Sequence, residues 1–238
     1  MRNEIVPVKN IAALARAGQA LIDRPGQLDH GLGMITGESG VGKTKASYWF
    51  ALEHRAFYVR AMSAWRSPTP LLESLGDVLG VQNKRSSYRM LKAVADEMSR
   101  QNRPVFVDEA DYLLRFDVLR DTIRDLHEAT RVPVILVGHT GIERKVKESP
   151  QFENRFLIDV RFEPLSLDDA RLLAARLCEV QVADDLLEDL HKYARGNTRK
   201  INTGLYRIEQ CAATLQVERM SLTQFRQVKG TYFLGAAA

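Results

Sequence analysis

Cysteine is scarce in this 238-residue chain: only Cys178 and Cys211 occur, far apart, outside any C-x-x-C spacing and away from any histidine cluster. That argues against a disulfide framework or a cysteine metal centre, and both read as small core residues of helical segments. No run approaches the roughly 18 apolar residues of a membrane span. Met1-Arg2-Asn3-Glu4 begins no signal peptide, so the expected location is the cytoplasm, with no membrane partner. Internal repeats, low-complexity tracts and linkers are missing too. Strong charge of either sign is also missing: a net charge of +4 and a pI of about 9.1 are compatible with a polyanionic partner but mild for this length. The length suits one large domain, or an α/β core with a small helical appendage.

What is present centres on Gly37-Glu38-Ser39-Gly40-Val41-Gly42-Lys43-Thr44, between the apolar run Leu32 to Ile35 and the helical pattern Lys45 to His54. The order is strand, loop, helix. Glycines let successive backbone N–H groups turn inward around a polyphosphate, and the helix points its positive end at the same anion. Lys43 then reaches the β- and γ-phosphates, and Thr44 holds Mg²⁺ through its hydroxyl. The competing reading is a glycine-rich turn that matches every fixed position by chance. The pattern implies binding of ATP or GTP.

The remaining segments fit around this loop. Asn10 is expected to cap a first helix carrying Ile11, Leu14, Ala17, Leu21 and Ile22, which Arg24-Pro25-Gly26 breaks. Ala56 to Ala61 reads as a second strand. An enlarged crossover follows, with a helix around Leu71 to Leu79, a polar loop Gln82 to Ser86 and a longer helix from about Ser87 to Gln101. Pro104-Val105-Phe106-Val107-Asp108-Glu109 is an apolar run ending in two carboxylates, the pattern of a buried parallel strand opening onto a ligand crevice. Asp108 is assigned to the metal and Glu109 to the attacking water. The alternative is a capping pair, since Asp108, Glu109 and Asp111 precede a helix.

A helix from about Val118 to Thr130 leads to a fourth strand, Pro133 to Gly138, which ends in His139-Thr140. A polar side chain there orients the water or senses the γ-phosphate; otherwise the two residues cap the next helix. Phe156 to Phe162 makes a fifth strand, preceded by Glu153-Asn154-Arg155. The expected fold is α/β, a doubly wound parallel five-stranded sheet followed by a small all-helical lid. The boundary falls near residue 164, giving domains 1–163 and 164–238. In the second, Ser166 and Asp169 form a capping box, Asp184 caps a second helix, Thr198 to Leu215 forms a third, and Ser221 opens a short last one. The final Gly-Ala-Ala-Ala is expected to fray.

In order and spacing these pieces resemble an AAA+ ATPase, from about Asn10 to Leu215: phosphate loop, strand-end acids, a polar sensor, an arginine before the fifth strand, and Gly196-x-x-Arg199 in a helical lid. The wider pattern is most similar to the transposition ATPases, the family of transposition protein B of Mu-like phages and bacterial transposons. It is carried by Tyr58-Val59-Arg60 with Trp65, Val107 to Asp111, Val134 to Gly141, and Gly196-Asn197-Thr198-Arg199-Lys200-Ile201-Asn202. The resemblance implies ATP with Mg²⁺ and sequence-independent binding of double-stranded DNA. It also implies a homo-oligomer, a helical filament or ring with ATP at subunit interfaces, that recruits a DDE-type transposase. By the same pattern Arg155 is the arginine finger given to a neighbour and Arg199 the second sensor. Two departures stand out. His139 occupies a position more often held by asparagine or a small polar residue, leaving His139 and Thr140 as alternative sensors. The phage protein's N-terminal helix-turn-helix has no counterpart before Asn10, so DNA contacts are expected from the ATPase surface. There the crossover offers Arg66, Lys84 and Arg85, with Arg60, Arg89, Trp65 and Tyr88 nearby.

Two other functions fit the same motifs: an AAA+ ATPase acting on protein partners, as in secretion, and a helicase loader or replication initiator. A small-molecule kinase suits the acid pair and helical lid less well. ATP over GTP follows from the resemblance, there being no N-K-x-D-type guanine signature.

Overall fold

The computed structural model describes residues 1–25, 30–228 and 233. The first helix ends at Ile22, just ahead of the expected break at Arg24-Pro25, while Gly26 and the expected fraying of residues 235–238 lie outside the described residues. In chain order the elements are α1 (Lys9–Ile22), β1 (Leu32–Gly37), α2 (Lys43–Glu53), β2 (Phe57–Arg60), α3 (Pro68–Leu79), α4 (Ser87–Gln101), β3 (Val105–Asp108), α5 (Ala110–Leu113), α6 (Asp117–Thr130), β4 (Val134–Val137), α7 (Ile142–Lys147), α8 (Pro150–Glu153) and β5 (Phe156–Phe162). Then come α9 (Leu167–Leu177), β6 (Gln181–Val182), α10 (Asp184–Ala194), α11 (Thr198–Leu215), β7 (Arg219–Met220) and α12 (Leu222–Gln227). They group into two compact units, one of residues 13–37 and 43–161, the other of residues 1–12, 38–42 and 162 onward.

The first unit is built on a parallel sheet of strand order β2-β3-β4-β1-β5. Every position of β1, β3 and β4 is buried. Such strands must be apolar on both faces because helices cover both, which is why they read as continuous hydrophobic runs. Leu32 pairs with Val134, Val105 also pairs with Val134, and Arg60 pairs with Asp108. That register brings the carboxyl ends of β1, β3 and β4 out on one edge, where ligands of open α/β sheets bind. The crossover from β2 to β3 consists of α3 and α4, which bury Leu71, Leu72, Leu75 and Leu79 against Met90, Val94 and Met98. Each such side chain contributes about 1.5–3 kcal/mol by leaving water. Trp65 joins that core at 3% exposure, so its indole is closed to the DNA-facing position expected for it. A large apolar ring stabilises more when buried among leucines than beside solvated arginines.

In the second unit, Ser166 and Asp169 form the expected capping box, and Ser221 forms another with Gln224. The α10 cap falls one residue early, on Ala183, and Asp184 inside the helix pairs with Arg171 at 2.8 Å. Asn10 caps nothing: it lies inside α1, donating to the Glu163 carbonyl at 2.8 Å and accepting from the Glu163 amide at 3.2 Å. An asparagine bonded to a distant backbone looks like a cap in sequence, since both use the same carboxamide. The stretch after Phe162 also holds a parallel pair, β6 with β7, two residues each and too short to leave a period-2 signal. The first residues, counted with the ATPase domain at the sequence level, place Val6 and Val8 in the second unit's core with Leu165, Leu190 and Leu205. Cys178 and Cys211 lie in the same core.

Candidate nucleotide site

Gly37 ends β1 and Lys43 begins α2, so the candidate loop joins the carboxyl end of a buried strand to a helix N-terminus. The Lys43 ammonium donates to the Gly37 carbonyl at 2.7 Å, and the Thr140 amide donates to that carbonyl at 3.3 Å. The tip after β4 is thereby tied to the start of the loop. Thr44 is exposed at the first turn of α2.

Asp108 closes β3 at 3% exposure. Its Oδ1 accepts from the Glu109 amide at 2.9 Å, while Oδ2 is buried with no hydrogen-bond partner among the described residues. The Tyr58 hydroxyl, buried like Oδ2, interacts with this carboxylate; burial first, then the Asp108 charge and its side-chain hydrogen bonding, hold the phenol well above the usual tyrosine range. A buried carboxylate oxygen left open, with a threonine hydroxyl at Thr44, is a donor set that fits Mg²⁺, a hard cation that takes one or two protein oxygens and completes its shell with phosphate and water. No cluster of three or more His, Cys, Asp or Glu side chains able to hold a metal exists among the described residues.

Glu109 is not the last strand residue that the sequence suggested. It sits in the left-handed region at φ 54°, ψ 38°, a conformation costing a non-glycine residue roughly 1–2 kcal/mol. This kink lifts the side chain out of the strand, and its Oε1 accepts from the Arg60 guanidinium at 3.0 Å. The capping alternative is not realised by Glu109, whose side chain makes no cap bond to α5. Asp111 instead accepts from the His139 amide at 2.8 Å, tying the tips of β3 and β4 together. His139 and Thr140 are both exposed, and neither caps α7, whose N-cap is Gly141 with the Glu143 carboxylate on its amide.

Arg155 stands apart from these residues. Its carbonyl accepts from Gly31 and Leu32, at the amino end of β1. Gly37 is at the other end, roughly 17 Å away along the strand. The guanidinium is held by Glu128 at 2.8 and 2.7 Å.

The other loop residues group with α11. Gly40 and Gly42 have φ of 82° and 97°, which glycine alone adopts without strain. The Arg199 amide donates to the Gly40 carbonyl at 2.9 Å, with its side chain exposed. Glu38 and Ser39 are exposed and Val41 is buried. Among the proposed DNA contacts, Arg66, Lys84, Arg85 and Arg89 are exposed, as is Tyr88, while Arg60 is engaged by Glu109. Sequence reasoning missed the Arg60–Glu109 pair, the hold of Glu128 on Arg155, and two residues beside Arg199, Asn197 and Thr198, whose bonds to the loop no spacing rule foretells.

The family model of the AAA domain matches residues 27–146. A curated relative, the Mu-like prophage FluMu DNA transposition protein B of Haemophilus influenzae, is 28% identical over 123 residues, 51% of this chain and 42% of that protein. The match thus spans less than half the length of that relative. Among solved structures, the ORC2 protein of Aeropyrum pernix superposes with a TM-score of 0.69 at 17% identity, covering 98% of this chain and 72% of that one. The ORC1 protein of Aeropyrum pernix in complex with DNA gives a TM-score of 0.63 at 16% identity over 94% of this chain and 64% of that one. At such identities the structural likeness establishes the fold. The family match covers half of the sequence and includes the phosphate loop and the strand-end acids, so the chain belongs to the AAA domain family and is an AAA+ P-loop ATPase.

Proposed function

We propose that this protein uses ATP and Mg²⁺ as a switch to assemble on double-stranded DNA, without sequence preference, and there to recruit and stimulate a DDE-type transposase in the cytoplasm. The observation that carries the hydrolytic part is the pair at the carboxyl end of β3: Asp108 with a buried, open oxygen, and Glu109 lifted out of the strand. In this reading Lys43 exchanges the Gly37 carbonyl for the β- and γ-phosphates. Thr44 and Asp108 would hold Mg²⁺, which would supply positive charge against the phosphates. Glu109 polarises the attacking water and His139 or Thr140 orients it, while Arg199 is the second sensor by the family pattern alone. Arg155, at the far end of β1 from Gly37, completes a neighbour's site and not its own, so active species are filaments or rings.

The DNA and transposase parts rest on the relative's name, a DNA transposition protein, and on the exposed cations of the α3–α4 crossover. Backbone neutralisation by a few cations per subunit, repeated along an oligomer, gives affinity without base readout. The test is duplex binding with no nucleotide, with ADP and with a non-hydrolysable ATP analogue, at two salt concentrations, with Lys43→Ala as control. Tight binding with the analogue alone, weakened by salt and lost in the variant, is expected. Oligomers that form with ATP but ignore DNA would replace this reading by one in which the partners are proteins only.

A further inference from the structure

Three consecutive carbonyls of the phosphate loop are bonded to three consecutive residues at the start of α11. Asn197 Nδ2 donates to the Ser39 carbonyl at 2.8 Å, the Arg199 amide to the Gly40 carbonyl at 2.9 Å, and Thr198 Oγ1 to the Val41 carbonyl at 3.0 Å. In a trans peptide plane the C=O of one residue and the N–H of the next point in opposite directions. Fixing these carbonyls on α11 therefore turns the N–H groups of Gly40, Val41 and Gly42 the other way, as a row of donors, which is the arrangement that binds an anion. Left to itself, a loop with positive-φ glycines at 40 and 42 samples many orientations of these peptides, and glycine's freedom makes ordering costly.

The α11 end of the clamp is itself fixed. Asn197 Oδ1 accepts from the Lys200 amide at 3.1 Å and caps the helix, and the Gly196 carbonyl accepts from the Leu165 amide at 2.8 Å. Space is tight on the loop side as well: a Cβ at Gly40 would fall 2.5 Å from Asn197 Nδ2. We infer that Asn197 and Thr198 are positioning residues of the nucleotide site: they pre-form the anion-binding row of the phosphate loop, and they couple polyphosphate binding to the α11 N-terminus. This rests on the nucleotide reading of the loop. It also predicts reciprocity, since a clamp that strengthens phosphate binding must itself be strengthened by it.

The test uses the full chain and separates clamping from helix capping. Asn197→Ser keeps a cap oxygen but is too short to reach Ser39, Thr198→Val removes only the hydroxyl donor, and Thr198→Ser restores it. Affinities for a fluorescent ATP analogue, and for inorganic tripolyphosphate as its competitor, are measured beside thermal unfolding. Each single variant should lose about 5-fold in affinity, the pair about 25-fold, and Thr198→Ser little, on a hydrogen-bond scale near 1 kcal/mol. The loss should fall on Kd and KM more than on kcat. Hydrogen exchange at the Arg199 amide should slow when the wild type binds nucleotide. Wild-type tripolyphosphate affinity in the folded pair, or in Thr198→Val alone should the pair not fold, would overturn the inference. If the wild type itself binds no nucleotide and Lys43→Ala behaves identically, the nucleotide reading falls, and the clamp with it.

Discussion

Arg60, at the end of β2, closes on Glu109, just past the end of β3, with a guanidinium-to-carboxylate distance of 3.0 Å. The pair occupies the residue assigned to the attacking water with a cation 68% exposed to solvent. An ion pair this open contributes about 0–1 kcal/mol, so it restrains Glu109 without locking it.

Removing the restraint should free the carboxylate. Arg60→Ala is expected to raise basal, DNA-free ATP hydrolysis by about 2- to 5-fold with nucleotide affinity unchanged. Glu109→Gln should lower kcat by at least about 100-fold and still bind ATP. Steady-state rates at one protein concentration check both; a fall in Arg60→Ala would assign Arg60 a direct role at the nucleotide.

Asp108 predicts opposite effects on stability and activity. Its open, buried oxygen is a cost in the nucleotide-free protein, since an unpaired buried polar group is destabilising by about 1–3 kcal/mol. Asp108→Asn retains an acceptor for the Glu109 amide and removes the charge. Thermal unfolding without nucleotide should shift up by about 2–4 °C, while Mg²⁺-dependent hydrolysis collapses. An unchanged or lower Tm would mean that the oxygen is already satisfied in solution.

Arg155 and Glu128 test the neighbour's contribution. Arg155→Ala and Lys43→Ala proteins should each be inactive, by about 10³-fold for a lost arginine finger, and should partly restore one another when mixed. Glu128→Ala frees the guanidinium and should lower the protein concentration needed for half-maximal hydrolysis. No rescue at any mixing ratio would remove Arg155 from the site.

For DNA, Lys84→Ala/Arg85→Ala should weaken duplex binding uniformly across sequences and reduce the slope of log affinity against log salt by about 2. ATP affinity should not change. Equal affinity across a salt series would exclude the loop between α3 and α4 as a contact.

Much of this architecture was legible in the sequence because it rests on local pattern. The runs of β1, β3 and β4 announce strands covered on both faces, the spacing from Gly37 to Thr44 announces a phosphate loop, and Ser166 and Ser221 stand where helices begin. What escaped depends on chain segments meeting. Arg60 and Glu109 are 49 residues apart, and Asn197 and Ser39 are 158 apart; neither pair leaves a periodic trace. The left-handed turn at Glu109 is hidden because glutamate seldom adopts it. Trp65 misled because an aromatic beside arginines has the composition of a nucleic-acid surface, yet its ring is buried in the core cluster that also holds the leucines of α3.

The most direct measurement is the rate of ATP hydrolysis per subunit as protein concentration is raised, with and without duplex DNA, in the wild type and in Arg155→Ala. If a neighbour completes each site on a DNA template, the wild-type rate per subunit climbs with concentration, DNA shifts the climb to lower concentration, and Arg155→Ala stays flat. A rate per subunit independent of concentration, indifferent to DNA and unaffected by Arg155→Ala would contradict the account.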